Sequence, residues 1–185
     1  MGAVVSIVFP AWWRGGRWPV EELLADLFEF EENAAAVDLS GVRVEPFVTK
    51  DSDRGPHLAA GNGFLLVHRR GGSFDRERGV DESVVDLVGL TSTRHGSNLL
   101  MEYVSDVLSE FDPELGGGTV HRSPDYVHRS GLSTTFMTVP GEVVGPQLIP
   151  ELLRDERFVP ATWEIHADRP RGLPDYRGAL SLDSE

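Results

Sequence analysis

The residue types best suited to chemistry gather between positions 65 and 111. Asp75, Asp81 and Asp86, with Arg69, Arg70, Arg76 and Arg78 close by in sequence, are the ingredients of a divalent-ion site. Two-metal hydrolysis needs convergent carboxylates and a neighbouring cation. Against that reading, the chain holds 30 acidic residues, and Asp86 falls inside an apolar, strand-like run, so a solvated acidic face is the simpler expectation. Six histidines (His57, His68, His95, His121, His128 and His166) invite a metal, yet no two stand three or four positions apart as ligands on one helix face would. His121 and His128 flank Pro124-Asp125-Tyr126, which reads as a loop. Arg69-Arg70-Gly71-Gly72-Ser73 lacks the Gly-Lys-Ser/Thr ending of a phosphate cradle and has no helix start after it to supply amides, so it reads as a turn. Ser130-Gly131-Leu132-Ser133 does not fit the Gly-x-Ser-x-Gly pattern of a nucleophile elbow. With no cysteine, thiolate nucleophiles and cysteine-based zinc sites are excluded. The expectation is a protein without catalytic residues, cofactor or metal.

Composition narrows the classes further. At 185 residues the chain is sized for one ordinary domain with extensions, and 40% hydrophobic with 25% charged residues is a normal globular balance. Twenty glycines and 12 prolines predict many turns. A formal charge of -13 argues against a nucleic-acid clamp, because gripping phosphates takes lysine and arginine that displace counterions. It suits a surface along which DNA slides without sticking. Residues 4–11 are apolar but short, lack a basic lead-in and run into Trp12-Trp13-Arg14-Gly15-Gly16-Arg17, so neither a signal peptide nor a membrane span is expected. A cytosolic product is the expectation.

The elements that would position these residues follow from periodicity. Residues 1–18 form a Trp-rich extension whose Trp12, Trp13 and Trp18 pack on the protein's own core or insert into a neighbouring subunit. A helix is predicted to begin at Pro19, with Glu21 and Glu22 near its positive end and Leu23, Leu24, Leu27 and Phe28 as its buried stripe, ending within 31–35. Val42, Val44 and Phe47 alternate with polar residues as a strand broken by Pro46. The polar stretch 50–63 leads to a continuously apolar strand at 64–67, buried on both faces. Next come the basic glycine turn, a mixed-charge loop over 70–81 and a strand at 84–90. Thr91, Ser92 and Thr93 are competent caps for a helix whose stripe is Leu100, Val104, Val107, Leu108 and Phe111, stopped at Asp112-Pro113. Weaker strands are expected at 119–121 and 135–139, among proline-rich loops. A half-exposed strand is expected at 158–167, with Val159, Ala161, Trp163 and Ile165 inward. Residues 168–185, with two prolines, two glycines and three arginines, are either disordered or a strap over a partner.

The fold class implied is α+β: a small, mostly antiparallel sheet with helices packed on one face, spanning residues 19–167. The order helix, strand, apolar strand ending in basic-Gly-Gly-Ser-Phe-Asp, strand with Val85-Asp86-Leu87-Val88, helix after Ser92-Thr93-Arg94, and a late strand resembles the tail terminator proteins of long-tailed phages of actinobacteria. That resemblance implies a virion protein of the head-tail junction, assembling as a homo-oligomeric, hexameric ring. Such a ring caps the tail tube, stops its polymerisation and joins the head-completion or neck protein, and DNA passes through it without specific binding. Carried onto this chain, Arg69, Arg70, Asp75, Arg76, Arg78 and Asp81 become candidate ring or tube contacts, with Trp12 and Trp13 as candidate anchors. A head-to-tail contact closes into a ring without any catalytic group, and an unpaired sheet edge offers a neighbour backbone partners. The terminal extensions and the passage 141–150 depart from that pattern. They leave open a head-closure or tail-completion protein as the alternative, and a metal-dependent enzyme using the loop carboxylates as a remote one.

Overall fold

The computed structural model describes residues 19–34, 37, 39–46, 51–75, 77–146 and 157–168. Trp12, Trp13, Trp18, Phe47, Arg76 and residues 169–185 therefore lie outside the described residues. The fold is α+β, built on one six-stranded sheet in the order β1-β2-β3-β6-β5-β4. Its strands are β1 (Val42–Glu45), β2 (Gly63–Asp75), β3 (Val80–Leu90), β4 (Gly118–His121), β5 (Thr134–Val144) and β6 (Val159–Asp168). Every pairing is antiparallel except that of β1 with β2.

Helix α1 (Val20–Glu29) starts one residue later than expected, because Pro19 stands outside it as the cap, in an extended conformation. Phe30 is extended as well, so the chain breaks there and a short α2 (Glu31–Ala34) follows; the single helix read from the sequence is two. The predicted stripe of Leu23, Leu24, Leu27 and Phe28 is buried. Helix α4 (Arg94–Ser109) matches its prediction closely. Thr93 caps it, its Oγ1 accepting the Gly96 N–H at 3.1 Å, and Leu100, Val104 and Leu108 are buried with Ser97 and Met101. Gly89 of β3 lets α4 lie close to the sheet, since a Cβ there would sit 2.8 Å from Met101 Cγ and 3.0 Å from the Ser97 carbonyl.

Helices α1 and α4 cover one face of the sheet, where Leu65, Val67, Val85, Leu87, Met137, Val139, Val159, Ala161, Trp163 and Ile165 complete the main core. Two helices stand where loops were expected. Helix α3 (Asp51–Ala59) carries Leu58 against Phe64, Leu66 and Leu90, in a second cluster on the opposite face. Helix α5 (Pro124–Ser130) runs through the supposed loop between His121 and His128, with proline in its first turn and Gly131 ending it at φ 75°.

The largest correction concerns the basic glycine stretch. It is neither a turn nor part of a loop over 70–81: β2 runs straight through it to Asp75, and only residues 76–79 lie between β2 and β3. The glycines instead serve a bulge, where the register with β3 slips between Arg69 and Gly71. Gly72 has φ 129°, and a Cβ there would fall 2.0 Å from the Glu82 carbonyl oxygen, so only glycine passes. Strand β6 is also more enclosed than predicted: Thr162, on its outward side, is buried and donates from Oγ1 to Asp86 Oδ1 at 2.7 Å.

The sheet curls far enough for α1 to touch β1 and β2 on one side and β4 on the other. Arg122, just after β4, is fully buried and pairs through Nε with Asp26 Oδ2 of α1 at 2.6 Å. Its Nη1 donates to Thr135 Oγ1 at 3.0 Å, and its guanidinium lies 3.6 Å from the centre of the Tyr126 ring. A charged group this deep is tolerated only when paired and hydrogen-bonded, so this cluster fixes how the two sides of the curl meet.

Candidate functional site

The long β2–β3 hairpin carries most of the residues singled out by sequence, and the structure divides them by role. From mid-length, Arg69 reaches along the hairpin to grip Asp81, next to the tip, with two parallel bonds, Nη1 to Oδ2 at 2.9 Å and Nη2 to Oδ1 at 2.8 Å, with Asp81 almost wholly buried. This planar fork is the strongest geometry available to an arginine and a carboxylate. It stiffens the hairpin where the bulge weakens the ladder. At the tip, Asp75 Oδ1 accepts the N–H groups of Glu77 and Arg78 at 2.9 and 3.0 Å, and its carbonyl accepts the Gly79 N–H at 2.9 Å, so Asp75 closes the turn. Among the described residues of the hairpin, Arg70 and Arg78 are the exposed arginines, at 66% and 64%, in loose pairs with Asp86 and with Asp75 and Glu82. Ser73 donates to Glu82 across the strands.

The carboxylates do not converge. Asp81 and Asp86 are five residues apart on one strand and so point to opposite faces. Asp81 is held by Arg69, Asp86 by Thr162, and Asp75 by turn amides. Among the described residues no group of three His, Asp or Glu side chains could hold a metal ion.

Around the hairpin, α1 and α2 blunt the edges of the sheet with side chains that sequence reading missed. Glu21 Oε1 accepts the Arg69 N–H of β2 at 3.0 Å, where the bulge begins. Glu29 Oε1 accepts the Val44 N–H of β1 at 2.6 Å. Asn33 accepts the His121 N–H of β4 and donates to its carbonyl, at 2.9 and 2.7 Å, copying a strand partner. Burial pushes the Glu29 carboxyl above its ordinary range; the bond from Val44 opposes this, and Glu45 adds to it. Exposed edges invite pairing with other chains, and these three side chains bond edge groups of β1, β4 and β2 at Val44, His121 and Arg69. The sequence offers no signal for them beyond polar residues on a helix.

The family model for phage tail termination proteins matches residues 16–174, nearly the whole chain. The chain belongs to that family. It is therefore a tail-terminating structural protein and a virion component, and the family is one of structural proteins rather than enzymes. Comparison with curated proteins finds no match. Among the described residues of this terminator, no helix is long and apolar enough to cross a membrane. The candidate anchors Trp12 and Trp13 and the candidate contact Arg76 lie outside the described part of the terminator, and the other five candidates, Arg69, Arg70, Asp75, Arg78 and Asp81, all sit on the hairpin.

Proposed function

We propose that this terminator works as a ring, a hexamer, that seats on the head-proximal end of the tail tube in a long-tailed phage of actinobacteria, halts tube growth and receives the head-completion or neck protein. The family match over residues 16–174 carries this reading. The hairpin supports it physically: an arm whose outer half is braced by Arg69 and Asp81 presents Arg70 and Arg78 to a neighbour or to the tube. Exposed charges of this kind set register and partner choice more than affinity. Apolar contact is available on the outer side of α4, where Leu99 and Tyr103 are exposed one turn apart. Trp12, Trp13 and Arg76 are further contacts under this proposal. A net charge of -13 keeps the lumen from holding the DNA that crosses it. Assembly takes place in the host cytoplasm, with no membrane, cofactor or metal taking part.

Native mass spectrometry of the full chain, alone and with purified tail tubes, tests the ring. The expected result is a closed oligomer in at least the second mixture; strictly monomeric protein in both contradicts the proposal.

A further inference from the structure

Two exposed surfaces of this terminator lie on opposite sides of the subunit. Helix α4 covers one face of the sheet, with Ser97 and Met101 against Gly89 of β3. Its outer side carries Leu99, 51% exposed, and Tyr103, 36% exposed, and beside them the exposed carboxylates Glu102, Asp106 and Glu110, one turn apart from each other. Like charges at that spacing repel, and α4 has no basic residue in its last turn to offset them. Asp106 and Glu110 also stand at the negative end of the helix dipole, where carboxylates are disfavoured. This acidic line costs the isolated subunit stability. The other surface is the far face of the hairpin. Arg70 and Arg78 lean towards Asp86 and Glu82, which alternate along β3 with the core-facing Val85 and Gly89 and so point away from α4. At 3.8 and 3.7 Å these contacts are too long for hydrogen bonds. On the same face Gly71, opposite Val84, offers bare backbone: a Cβ there would meet nothing within 4 Å.

We propose that the face of the hairpin bearing Arg70 and Arg78 seats on the outer side of α4 of the next copy of the chain. This inference rests on the ring reading above and names the two surfaces that close the ring. Charge fits, since exposed guanidiniums meet a line of carboxylates that α4 leaves unbalanced. Spacing fits as well. Glu82 and Asp86, beside which the two arginines stand, are separated by roughly 13 Å of strand, and Glu102 and Glu110 by roughly 12 Å of helix. Each arginine therefore has a carboxylate in register. Tyr103 gains a bare strip at Gly71 on which its ring can lie, with Arg70 adjacent to stack on it. Direction fits too: the patches are different and lie on opposite faces, so the contact is head-to-tail, the kind that generates a ring. Two α4 faces set against each other would instead bring like carboxylates together, which disfavours a twofold contact there.

Charge reversal in the full chain tests the pairing. One variant carries Arg70→Glu with Arg78→Glu, and the other Glu102→Arg with Glu110→Arg. The parent, each variant and an equimolar mixture of the two variants are compared by native mass spectrometry in the presence of tail tubes, with melting curves to confirm folding. Arginine towards the C-terminal end of α4 suits the helix dipole, so the second variant should melt no lower than the parent, and lost assembly there is not lost folding. Each variant alone should need at least about tenfold more protein than the parent to form the closed oligomer, because like charges then meet. The mixture should assemble as the parent does, since every contact in a hexamer of alternating variants joins opposite charges. Closed oligomers of both variants at the parent's concentration overturn the inference and leave the ring standing. Variants that fail alone and are not rescued by mixing also overturn it. A parent that stays monomeric with and without tubes removes the ring itself, and this contact with it.

Discussion

Replacing Arg122 by methionine is the sharpest probe of how the curled sheet is held. The guanidinium is wholly buried, bonded to Asp26 at 2.6 Å and to Thr135 at 3.0 Å, and stacked on Tyr126. Methionine fills much of the same space but leaves the Asp26 carboxylate, itself only 9% exposed, without its counter-charge. Breaking a buried pair from one side costs about 3–5 kcal/mol. For a chain of this length each kcal/mol lowers Tm by about 2–4 °C, so Arg122→Met is expected to lose about 6–20 °C. Removing both charges is a different perturbation. In the double variant Asp26→Leu, Arg122→Met no charge is stranded, and most of the loss returns, because well-packed apolar replacements of buried pairs are often neutral. Circular dichroism melts of the parent, both single variants and the double variant, in one buffer, form the cycle. A drop of less than about 3 °C for Arg122→Met, or a double variant whose loss equals the sum of the singles, refutes the reasoning.

Three further outcomes follow from the packing. Asp81→Asn breaks the two-bond grip on Arg69 and should lower stability by about 1–3 kcal/mol in urea titration, with hydrogen exchange quickening first along residues 69–75. Gly89→Ala forces a methyl against Met101 and the Ser97 carbonyl and should cost about 1–3 kcal/mol; an unchanged urea midpoint would show that α4 does not lie as close as described. For Glu29 the folded-state carboxyl titrates above its ordinary 4.5, so its stabilising share is full below that pH and is lost as pH rises through the raised value. Glu29→Gln keeps an oxygen for the Val44 N–H without the charge, so the parent should lose stability relative to this variant as pH increases from 4 to 7; a relative gain would reverse the sign argued here.

The parts of the fold legible in the sequence are those written in short-range periodicity. The stripe of Leu100, Val104 and Leu108 gave α4, and Val159, Ala161, Trp163 and Ile165 gave β6, because one buried face imposes a fixed spacing. Helix α3 escaped because Leu58 is its lone buried apolar side chain in a stretch holding Gly55 and Pro56; its position depends on Phe64 and on His57, whose Nε2 lies 3.1 Å from the Gly63 carbonyl oxygen. Gly71 and Gly72 look like a turn in one dimension, yet serve a bulge that only the facing strand β3 reveals. The edge caps and the Asp26–Arg122 pair join residues 15 to 96 positions apart, and no local pattern encodes such meetings. At the candidate site, sequence picked out the hairpin but could not tell Arg69 and Asp81, which hold each other, from Arg70 and Arg78, which face outward.

The most direct measurement is of tail length in particles assembled without this protein. Electron micrographs should show tails that overrun their normal length and carry no heads, with normal length restored by supplying the intact chain. Tails of normal, uniform length in its absence would contradict the account, because they would mean that the tube stops growing without it.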